Sequence, residues 1–309
     1  MQRTGSEPTR RAFLAAAVGV AVGIGSRGGA AAPAPILTRA IPATGERVPA
    51  IGMGTWITFN VGDDPALRDQ RLEVLETFFA LGGTVIDSSP MYGSSEAVIG
   101  HCLGRLASRP TLFAATKVWT PLVWRGPSQM EESRALWGVK RFDLMQVHNL
   151  LRWEGHLETL LEDKEQGRIR YVGLTTSHGL RHDALEAAMR SQPLDAVQFT
   201  YNILDREAEQ RLLPLAAERG LAVIVNRPFR QGELLQELEG RPLPAWAAEI
   251  DCASWSQFLL KFIVSHPAVT CVIPATSRVD HMRENMGALR GRLPDPAMRA
   301  RMVRHLESV

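Results

Sequence analysis

The sequence predicts an α/β fold, a (β/α)8 TIM barrel with an N-terminal β-hairpin cap. Three observations support this prediction. Short apolar runs alternate with helical patterns over roughly 230 residues, a length typical of such barrels. Eight of these runs can be distinguished, and no Gly-x-Gly-x-x-Gly fingerprint follows any early run. An open doubly wound sheet is the alternative fold. With 45% hydrophobic and 22% charged residues, the chain has the composition of an ordinary globular protein.

The first 32 residues are predicted to be a twin-arginine signal peptide rather than part of the barrel, which then occupies residues 33–309. Thr9-Arg10-Arg11-Ala12-Phe13-Leu14 precedes a short apolar stretch, and three alanines precede Pro33. A basic, Ala-rich disordered tail is the alternative. The apolar stretch is about half of the ~20 residues that a membrane span needs. We therefore expect recognition by the twin-arginine export machinery, a periplasmic or otherwise exported product without a stable membrane span, and a cytoplasmic one if the signal is not used.

Charge and cysteine content exclude several classes of protein. Removing residues 1–32 takes away four arginines and one glutamate, so the formal net charge of +2 becomes about −1. Nucleic acid is therefore not an expected partner. The three cysteines are too few and too widely spaced for a disulfide framework. No Cys/His cluster has the spacing of a zinc site, and no metal is expected.

The elements follow in order along the chain. Residues 36–50 alternate apolar and polar around Thr44-Gly45-Glu46, which predicts the hairpin. Long connections from Pro121 to Trp137, with only a short helix, and from Arg230 to Ala245 are expected to shape a pocket. Eight strands are then predicted to end near Trp56, Ser88, Val118, Asn149, Thr176, Tyr201, Pro228 and Thr276. Helical patterns cover residues 66–81, 94–107, 154–166, 181–190, 207–219, 246–265 and 279–289.

Four polar residues, Asp87, Tyr92, Lys117 and His148, come at or just after the ends of the second, third and fourth strands. The carboxyl ends of barrel strands carry the chemistry of such folds. A phenol is a poor acid at neutral pH, but a nearby ammonium group lowers its pKa. Lys117, held by Asp87, can supply that ammonium group to Tyr92, and His148 can hydrogen-bond a substrate carbonyl oxygen. The four residues predict an enzyme that polarises a carbonyl and protonates the resulting alkoxide.

Three segments resemble the signature stretches of the aldo-keto reductases. They are Asp87-Ser88-Ser89-Pro90-Met91-Tyr92-Gly93-Ser94-Ser95-Glu96, Ala115-Thr116-Lys117-Val118 and Asp143-Leu144-Met145-Gln146-Val147-His148-Asn149. The resemblance runs from about Ile51 to Ala288. It implies a (β/α)8 barrel and a nicotinamide hydride donor, NADPH with NADH possible. It also implies that Tyr92 is the general acid, that Lys117 and Asp87 tune it, and that His148 orients the carbonyl group.

The same resemblance implies a set of cofactor contacts. Gln198 corresponds to the residue that binds the nicotinamide carboxamide, and Tyr201 to the ring that stacks on nicotinamide. Arg278 is the candidate partner of a 2′-phosphate, because a guanidinium offers a planar, bidentate fork. The adenosine end is expected to lie against Thr276, Ser277, Arg278, Glu284 and Asn285.

The sequence departs from the family pattern at several of these positions. Thr175-Thr176 replaces Ser-Asn, Ala275 replaces a common lysine, and His281 replaces a common arginine. Asn226-Arg227-Pro228-Phe229 replaces Tyr-Ser-Pro-Leu. Asn226 and Arg227 are expected either to contact the cofactor diphosphate or, in the case of Arg227, to cap the barrel rim.

Trp56 and Trp119 follow the first and third strands and are candidate walls of an apolar substrate site, with plain packing as the alternative. The expected function is NAD(P)H-dependent reduction of an aldehyde or ketone, a small-molecule carbonyl substrate, to an alcohol. Two alternatives are a cofactor-binding or sensing barrel with vestigial turnover, and a non-redox lyase or isomerase that uses Tyr92 and Lys117.

Overall fold

Eight parallel strands form the centre of the protein in a computed structural model that describes residues 35–108 and 111–308. In chain order and in sheet order they are β3 (Met53–Gly54), β4 (Val85–Asp87), β5 (Phe113–Val118), β6 (Phe142–Val147), β7 (Ile169–Thr175), β8 (Ala196–Thr200), β9 (Ala222–Asn226) and β10 (Cys271–Val272). Parallel bridges between Ile51 and Val272 and between Gly54 and Ala275 join the first and last strands. The predicted (β/α)8 barrel is therefore confirmed.

The predicted hairpin is also confirmed. Strands β1 (Thr38–Ala40) and β2 (Arg47–Pro49) pair antiparallel, and Ile41 carries the backbone bonds of the turn between them. The side chains of Ile41 and Val48 pack against the apolar inner layer at the amino ends of the barrel strands. The hairpin thus covers the end of the barrel opposite to the predicted chemistry.

Helices occupy the connections between the strands. They are α1 (Pro65–Ala80), α2 (Ser95–Arg105), α3 (Gly126–Trp137), α4 (Trp153–Glu165), α5 (His182–Ser191), α6 (Leu212–Arg219), α7 (Glu233–Glu237), α8 (Trp255–Val264), α9 (Val279–Gly287) and α10 (Pro296–Leu306). The start of α1 shows how local sequence begins a helix. The Asp64 side chain accepts a hydrogen bond from the Leu67 amide, and Pro65 occupies the first turn, where its missing N–H is not needed.

Several helices differ from the expectation. The pattern predicted over residues 246–265 is divided into a 3₁₀ helix, Ala245–Ile250, and α8, and α7 lies within the connection expected from Arg230 to Ala245. The connection from Pro121 to Trp137 was expected to hold only a short helix, but α3 is 12 residues long. Pro127 lies at the amino end of α3, and Gly138 ends the helix in the left-handed conformation. Both are residues that commonly begin and end helices. Helix α10 lies beyond the last predicted helical pattern, and Asp295 caps it by accepting from the Met298 amide.

The inner face of the barrel changes from apolar to polar along the strands. Near the amino ends it carries Phe113, Leu144 and Tyr171. Two to four residues further along, the same face carries Lys117 and Gln146, because successive side chains of a strand alternate between faces. The polar layer therefore lies at the carboxyl ends of the strands.

The signal peptide predicted for residues 1–32 lies outside the described residues and stays a prediction. Within residues 35–108 and 111–308, no helix has both the length and the apolar character that a membrane crossing requires.

Candidate active site

The centre of the site is a buried ion pair. The Lys117 side chain is fully buried, and its Nζ donates to Asp87 Oδ1 over 2.5 Å and to the Ser88 carbonyl oxygen over 2.8 Å. Asp87 is 2% exposed. Burial lowers the pKa of Lys117, but Asp87 and Tyr92 together raise it by more, so the ammonium group stays charged. The pair brings together two of the predicted residues from neighbouring strands, β4 and β5.

Amide side chains complete the surroundings of Asp87. Gln146 Nε2 donates to Asp87 Oδ2 over 3.0 Å, and Gln198 Nε2 donates to the same oxygen over 3.1 Å. Thr55 Oγ1 donates to the Asp87 carbonyl oxygen. Buried charges need such a full set of partners, because an unpaired buried charge is costly. Asp87 is thereby fixed in one orientation toward Lys117.

Tyr92 is brought to this pair by a short 3₁₀ turn, Pro90–Tyr92. Its ring centroid lies 5.1 Å from Lys117 Nζ. The ring also meets the His148 ring edge to face, with 5.7 Å between the centroids. The structure thus places all four predicted residues side by side at one end of the barrel.

The pKa of Tyr92 moves in the direction opposite to the one expected from the sequence. Lys117 does lower it, but burial of the phenol raises it and is the larger effect. The expectation of a lowered pKa was wrong because it counted the nearby ammonium and not the loss of solvation. Tyr92 therefore stays protonated at neutral pH and is equipped to donate a proton.

His148 is neutral in this setting. It is 5% exposed, and burial together with the positive charge of Lys117 lowers the pKa of His148 to about 3. Its Nδ1 lies 2.9 Å from Ser89 Oγ. Its Nε2 has no hydrogen-bond partner among the described residues and is not enclosed. A neutral imidazole with one free nitrogen can bond a substrate oxygen.

Gln198, expected at the nicotinamide, lies next to this group, as do Asn226 and Arg227, which were expected at the cofactor diphosphate. Gln198, 2% exposed, is already bonded to Asp87, and its Oε1 accepts from Asn226 Nδ2 over 3.4 Å. Asn226 Nδ2 also donates to the Thr176 carbonyl oxygen over 2.8 Å. Arg227 is half-buried, and its Nη1 lies 2.6 Å from His178 Nε2. These side chains line one edge of the barrel mouth.

Arg227 is the charged member of this edge. It adopts a positive φ of 52°, an uncommon conformation for a residue other than glycine. In the described part of the chain its guanidinium forms no ion pair with a carboxylate; the neighbouring Arg230 is the one that pairs with Asp205. Arg227 therefore keeps a positive charge available at the barrel mouth.

The expected adenosine-binding residues lie around the start of α9. Thr276 Oγ1 accepts from the Arg278 amide, and Asn285 is buried. Glu284 accepts from Ser256. The Arg278 guanidinium is exposed and already paired with Asp280, with 3.0 Å between Nε and Oδ1. Ser277 precedes Arg278 in the chain, and Arg71 Nη1 donates to the Ser277 carbonyl oxygen over 3.5 Å.

Tyr201 does not join the other expected cofactor residues. Its ring has no exposed surface and packs near Phe262 and His266. Its hydroxyl accepts from Arg299 over 2.6 Å and also donates to Glu209. A ring enclosed among helices has no face free for a nicotinamide ring, so the structure assigns Tyr201 to packing between the barrel and its helices.

The mouth of the barrel is bordered by large apolar side chains. Trp56 is half-buried, and Trp119 is 41% exposed. Other exposed apolar side chains in the loops after β3, β4 and β5 are Ile57, Met91, Leu122 and Trp124. Singly exposed apolar residues are common, but several around one opening are typical of a binding site.

Two further residues of this candidate site, Gln146 and Ser89, were not predicted from the sequence. Gln146 lies two residues before His148 on the same inner face, so the period of two along a strand was the signal that could have identified it. Ser89 contacts His148 across 59 positions of sequence, and no local pattern reveals such a pairing. Among the residues that the structure describes, no group of three or more His, Cys, Asp or Glu side chains could hold a metal ion.

Comparisons with known proteins agree with this geometry. The family model described as "Aldo/keto reductase family" matches residues 50–302. An aldo-keto reductase of Strobilurus tenacellus is 29% identical over 259 residues, covering 71% of this chain and 76% of its own. Methylglyoxal reductase YeaE of Escherichia coli is 27% identical over 253 residues, covering 78% and 86%.

A solved structure shows the same arrangement of the chain. The crystal structure of an aldo/keto reductase from Klebsiella pneumoniae in complex with NADP and acetate is 25% identical and superimposes with a TM-score of 0.71. The match covers 84% of this chain and 92% of that one.

Proposed function

The chain belongs to the aldo/keto reductase family, and on that premise we propose that it reduces an aldehyde or ketone to an alcohol with NADPH as hydride donor. The observation that carries the proposal is the position of Tyr92, whose ring centroid lies 5.1 Å from the Lys117 ammonium and 5.7 Å from that of the His148 imidazole. A phenol, a buried cation and a neutral imidazole at one opening form a set of groups suited to carbonyl reduction.

Each of the three groups has a distinct task in the proposed reaction. His148 donates a hydrogen bond to the carbonyl oxygen and polarises it. Tyr92 transfers its phenolic proton to that oxygen as the alkoxide forms. Lys117 then stabilises the phenolate that remains on Tyr92, because its positive charge lies beside the ring in a buried setting.

The residues at the barrel mouth fit a nicotinamide cofactor, which supplies the hydride when bound. The Thr176 hydroxyl is buried without a hydrogen-bond partner among the described residues, at the edge where Gln198 and Asn226 present amide groups. An unpaired buried hydroxyl is uncommon and fits a polar ligand group. We assign Thr176, Gln198 and Asn226 to the nicotinamide end and Arg227 to the diphosphate.

We assign the adenosine end to the start of α9. Thr276, Ser277 and Arg278 lie together there, with Glu284 and Asn285 on the helix that follows. The NADP complex of the similar Klebsiella pneumoniae enzyme supports NADPH rather than another hydride donor. Arg278 is the proposed partner of the 2′-phosphate, although Asp280 competes for its guanidinium.

The substrate proposed for this site is a carbonyl compound with an apolar body. Trp56 and Trp119 border the opening, and the two charged groups that act on Tyr92, Lys117 and Asp87, are buried and paired with each other. Methylglyoxal is a suitable small reference substrate for a test of this proposal, because a similar enzyme of Escherichia coli is a methylglyoxal reductase.

One experiment separates this function from the two alternatives. NADPH absorbance and fluorescence are followed with purified protein and a panel of aromatic, aliphatic and small aldehydes and ketones. We expect carbonyl-dependent oxidation of NADPH with alcohol formed in equal amount. Tight NADPH binding without oxidation across the panel would favour a sensor, and product formation without any change in cofactor absorbance would favour a lyase or isomerase.

A further inference from the structure

Ser89 is a buried hydroxyl next to the catalytic imidazole. Its side chain has no exposed surface, and its Oγ lies 2.9 Å from His148 Nδ1. Ser89 also begins the 3₁₀ turn that carries Tyr92: its Oγ accepts from the Met91 amide over 3.2 Å, and its carbonyl oxygen accepts from the Tyr92 amide over 2.9 Å. One residue therefore contacts both the imidazole and the turn that places the phenol.

The direction of the bond between Ser89 and His148 follows from counting protons. A serine hydroxyl has one proton to donate and two lone pairs that accept. One lone pair is used by the Met91 amide. Within the described part of the chain, His148 Nδ1 is the only acceptor within reach of the hydroxyl proton. If Nδ1 carried the ring proton instead, the buried Ser89 proton would have no partner, which is unfavourable.

We propose that Ser89 is a positioning residue that holds His148 in the tautomer with its proton on Nε2. The catalytic role of this tautomer rests on the proposed carbonyl reduction, whereas the tautomer itself can be measured without substrate. With Nδ1 accepting from Ser89, the single proton of the neutral ring lies on Nε2, the nitrogen without a hydrogen-bond partner among the described residues. His148 then offers an N–H donor to the substrate carbonyl oxygen.

The other tautomer would place a lone pair where a donor is needed. A carbonyl oxygen also presents lone pairs, so the two acceptors would repel each other and polarisation would be lost. His148 cannot offer an Nε2 proton by carrying protons on both nitrogens, because burial and the positive charge of Lys117 disfavour the imidazolium. The choice between the two neutral forms therefore decides whether His148 can act, and Ser89 makes that choice.

The test reads the tautomer directly in the protein without substrate. Long-range ¹H–¹⁵N correlation spectra distinguish the two neutral forms, and a His148→Gln variant identifies the His148 signals. We expect the unaltered protein to show Nε2 protonated and Nδ1 unprotonated. In Ser89→Ala we expect averaged shifts of two interconverting tautomers, with kcat for reduction lower by roughly tenfold, the size of one ordinary hydrogen bond. KM and the NADPH Kd should change less than twofold.

A matched control is available in the preceding residue. The Ser88 hydroxyl is also buried but has no hydrogen-bond partner among the described residues. Ser88→Ala removes the same atom without touching His148, and we expect it to leave the His148 spectrum unchanged. Ser89→Thr keeps the hydroxyl in an extended backbone conformation that suits a β-branched residue, and we expect it to restore the single tautomer.

Two results would overturn the proposal: Nδ1 protonated in the unaltered protein, or a Ser89→Ala spectrum identical to that of the unaltered protein. The first of these needs no variant, so the test stands even if Ser89→Ala does not fold. Absence of carbonyl turnover in the unaltered protein would instead contradict the proposed function and leave the tautomer assignment intact.

Discussion

At the scale of the single residue, two opposing effects act on the pKa of Tyr92. Lys117 favours the phenolate, whereas burial favours the neutral phenol and outweighs it. The result suits an acid that must hold its proton until an alkoxide forms, and then needs a cation to stabilise the anion left behind. A phenol that is protonated at neutral pH fits the proposed reduction of a carbonyl, in which Tyr92 gives up its proton.

Replacing Tyr92 with phenylalanine removes the proton donor and keeps the ring. We expect kcat for carbonyl reduction to fall by roughly 10²- to 10⁴-fold, the range that a positioned acid contributes. The NADPH Kd should change by less than a factor of two, because the cofactor positions proposed above are on other strands. Stopped-flow absorbance and fluorescence titration measure the two quantities. Unchanged turnover would refute the role of Tyr92.

The pH dependence of reduction should follow Tyr92 and not His148. The protonated phenol is the reactive form and is fully present below its pKa, which is raised above the ordinary value of about 10. His148 is neutral at any pH well above 3. We expect kcat for reduction to be flat from about pH 6 to 9 and to fall at higher pH. An inflection between pH 6 and 7 that disappears in His148→Gln would contradict the neutral imidazole.

Asp280 is expected to limit the preference for NADPH. Its carboxylate pairs with the exposed Arg278 guanidinium and places a negative charge where a 2′-phosphate is proposed to bind. Asp280→Ala frees Arg278, so we expect the NADPH Kd to fall by roughly two- to fivefold, the scale of an exposed ion pair. The NADH Kd should stay the same, since NADH lacks the phosphate. Equal changes for both cofactors would show that Arg278 does not contact the 2′-phosphate.

Three of the proposed catalytic residues were predictable because they lie at or directly after the carboxyl end of a strand. In a parallel barrel the carboxyl ends of neighbouring strands meet, so Asp87, Lys117 and His148 had to lie close together once the strands were identified. Tyr201 could not be placed in this way. Its orientation depends on Arg299 in α10, 98 positions away, in a helix that the sequence pattern did not reveal.

At the scale of the elements, α2 and α3 are joined by a buried carboxylate and a close backbone contact. Glu96 in α2 accepts from Thr116 of β5 over 2.6 Å, and from Ser133 and Trp137 of α3 over 2.8 and 3.1 Å. Burial raises the pKa of Glu96 against the effect of these three donors. The network links two neighbouring helices to the strand that carries Lys117.

Gly100 allows this close approach of α2 to α3. A Cβ built on Gly100 would collide with the carbonyl oxygen of Leu136, a backbone atom that cannot rotate away. We expect Gly100→Ala to destabilise the protein by about 1–3 kcal/mol, as overpacking does. Gly104 in the same helix has no neighbour within 4 Å of such a Cβ. Gly104→Ala should stabilise the protein by up to about 1 kcal/mol through helix propensity.

Urea unfolding followed by circular dichroism measures both variants under identical conditions. The opposite signs of the two changes in the free energy of unfolding matter more than their sizes, because both substitutions add one methyl group to the same helix. If Gly100→Ala were as stable as the unaltered protein, α2 and α3 would have to pack further apart than the structure shows.

Helix α3 also shows where prediction from sequence reached its limit among the elements. The segment from Pro121 to Trp137 was expected to be a long connection, and Gly126, Pro127 and the following Gly138 are residues that are also common in loops. In the structure the same residues begin and end a helix. The two interpretations differ only in whether Met130, Ser133 and Trp137 bury a common face, which depends on contacts with distant elements.

At the scale of the whole molecule, one end of the barrel is closed and the other is reactive. The hairpin β1–β2 covers the apolar inner layer, and its base is tied to the end of the barrel sequence by a backbone bond from the Leu37 amide to the Leu289 carbonyl oxygen. The polar layer with Lys117 faces the opposite end.

Export of such an enzyme raises the question of its reductant. A nicotinamide cofactor is not expected to be free outside the cytoplasm, whereas a twin-arginine route carries folded proteins. We propose that the barrel folds and binds its cofactor before export directed by Arg10 and Arg11. Binding to the folded state also stabilises it, so a loaded barrel would be better suited to the passage than an empty one.

The final prediction concerns protein recovered from the periplasm of cells that express the full chain. We expect it to contain close to one bound nucleotide per chain, measured by release on denaturation and chromatography. Arg10→Lys combined with Arg11→Lys should retain the protein in the cytoplasm with the same melting temperature and the same NADPH Kd, because the match to the reductase family begins only at residue 50. Periplasmic protein that is empty and cannot bind NADPH would rule out export of the loaded enzyme. Efficient export of the double lysine variant would rule out the twin-arginine signal itself.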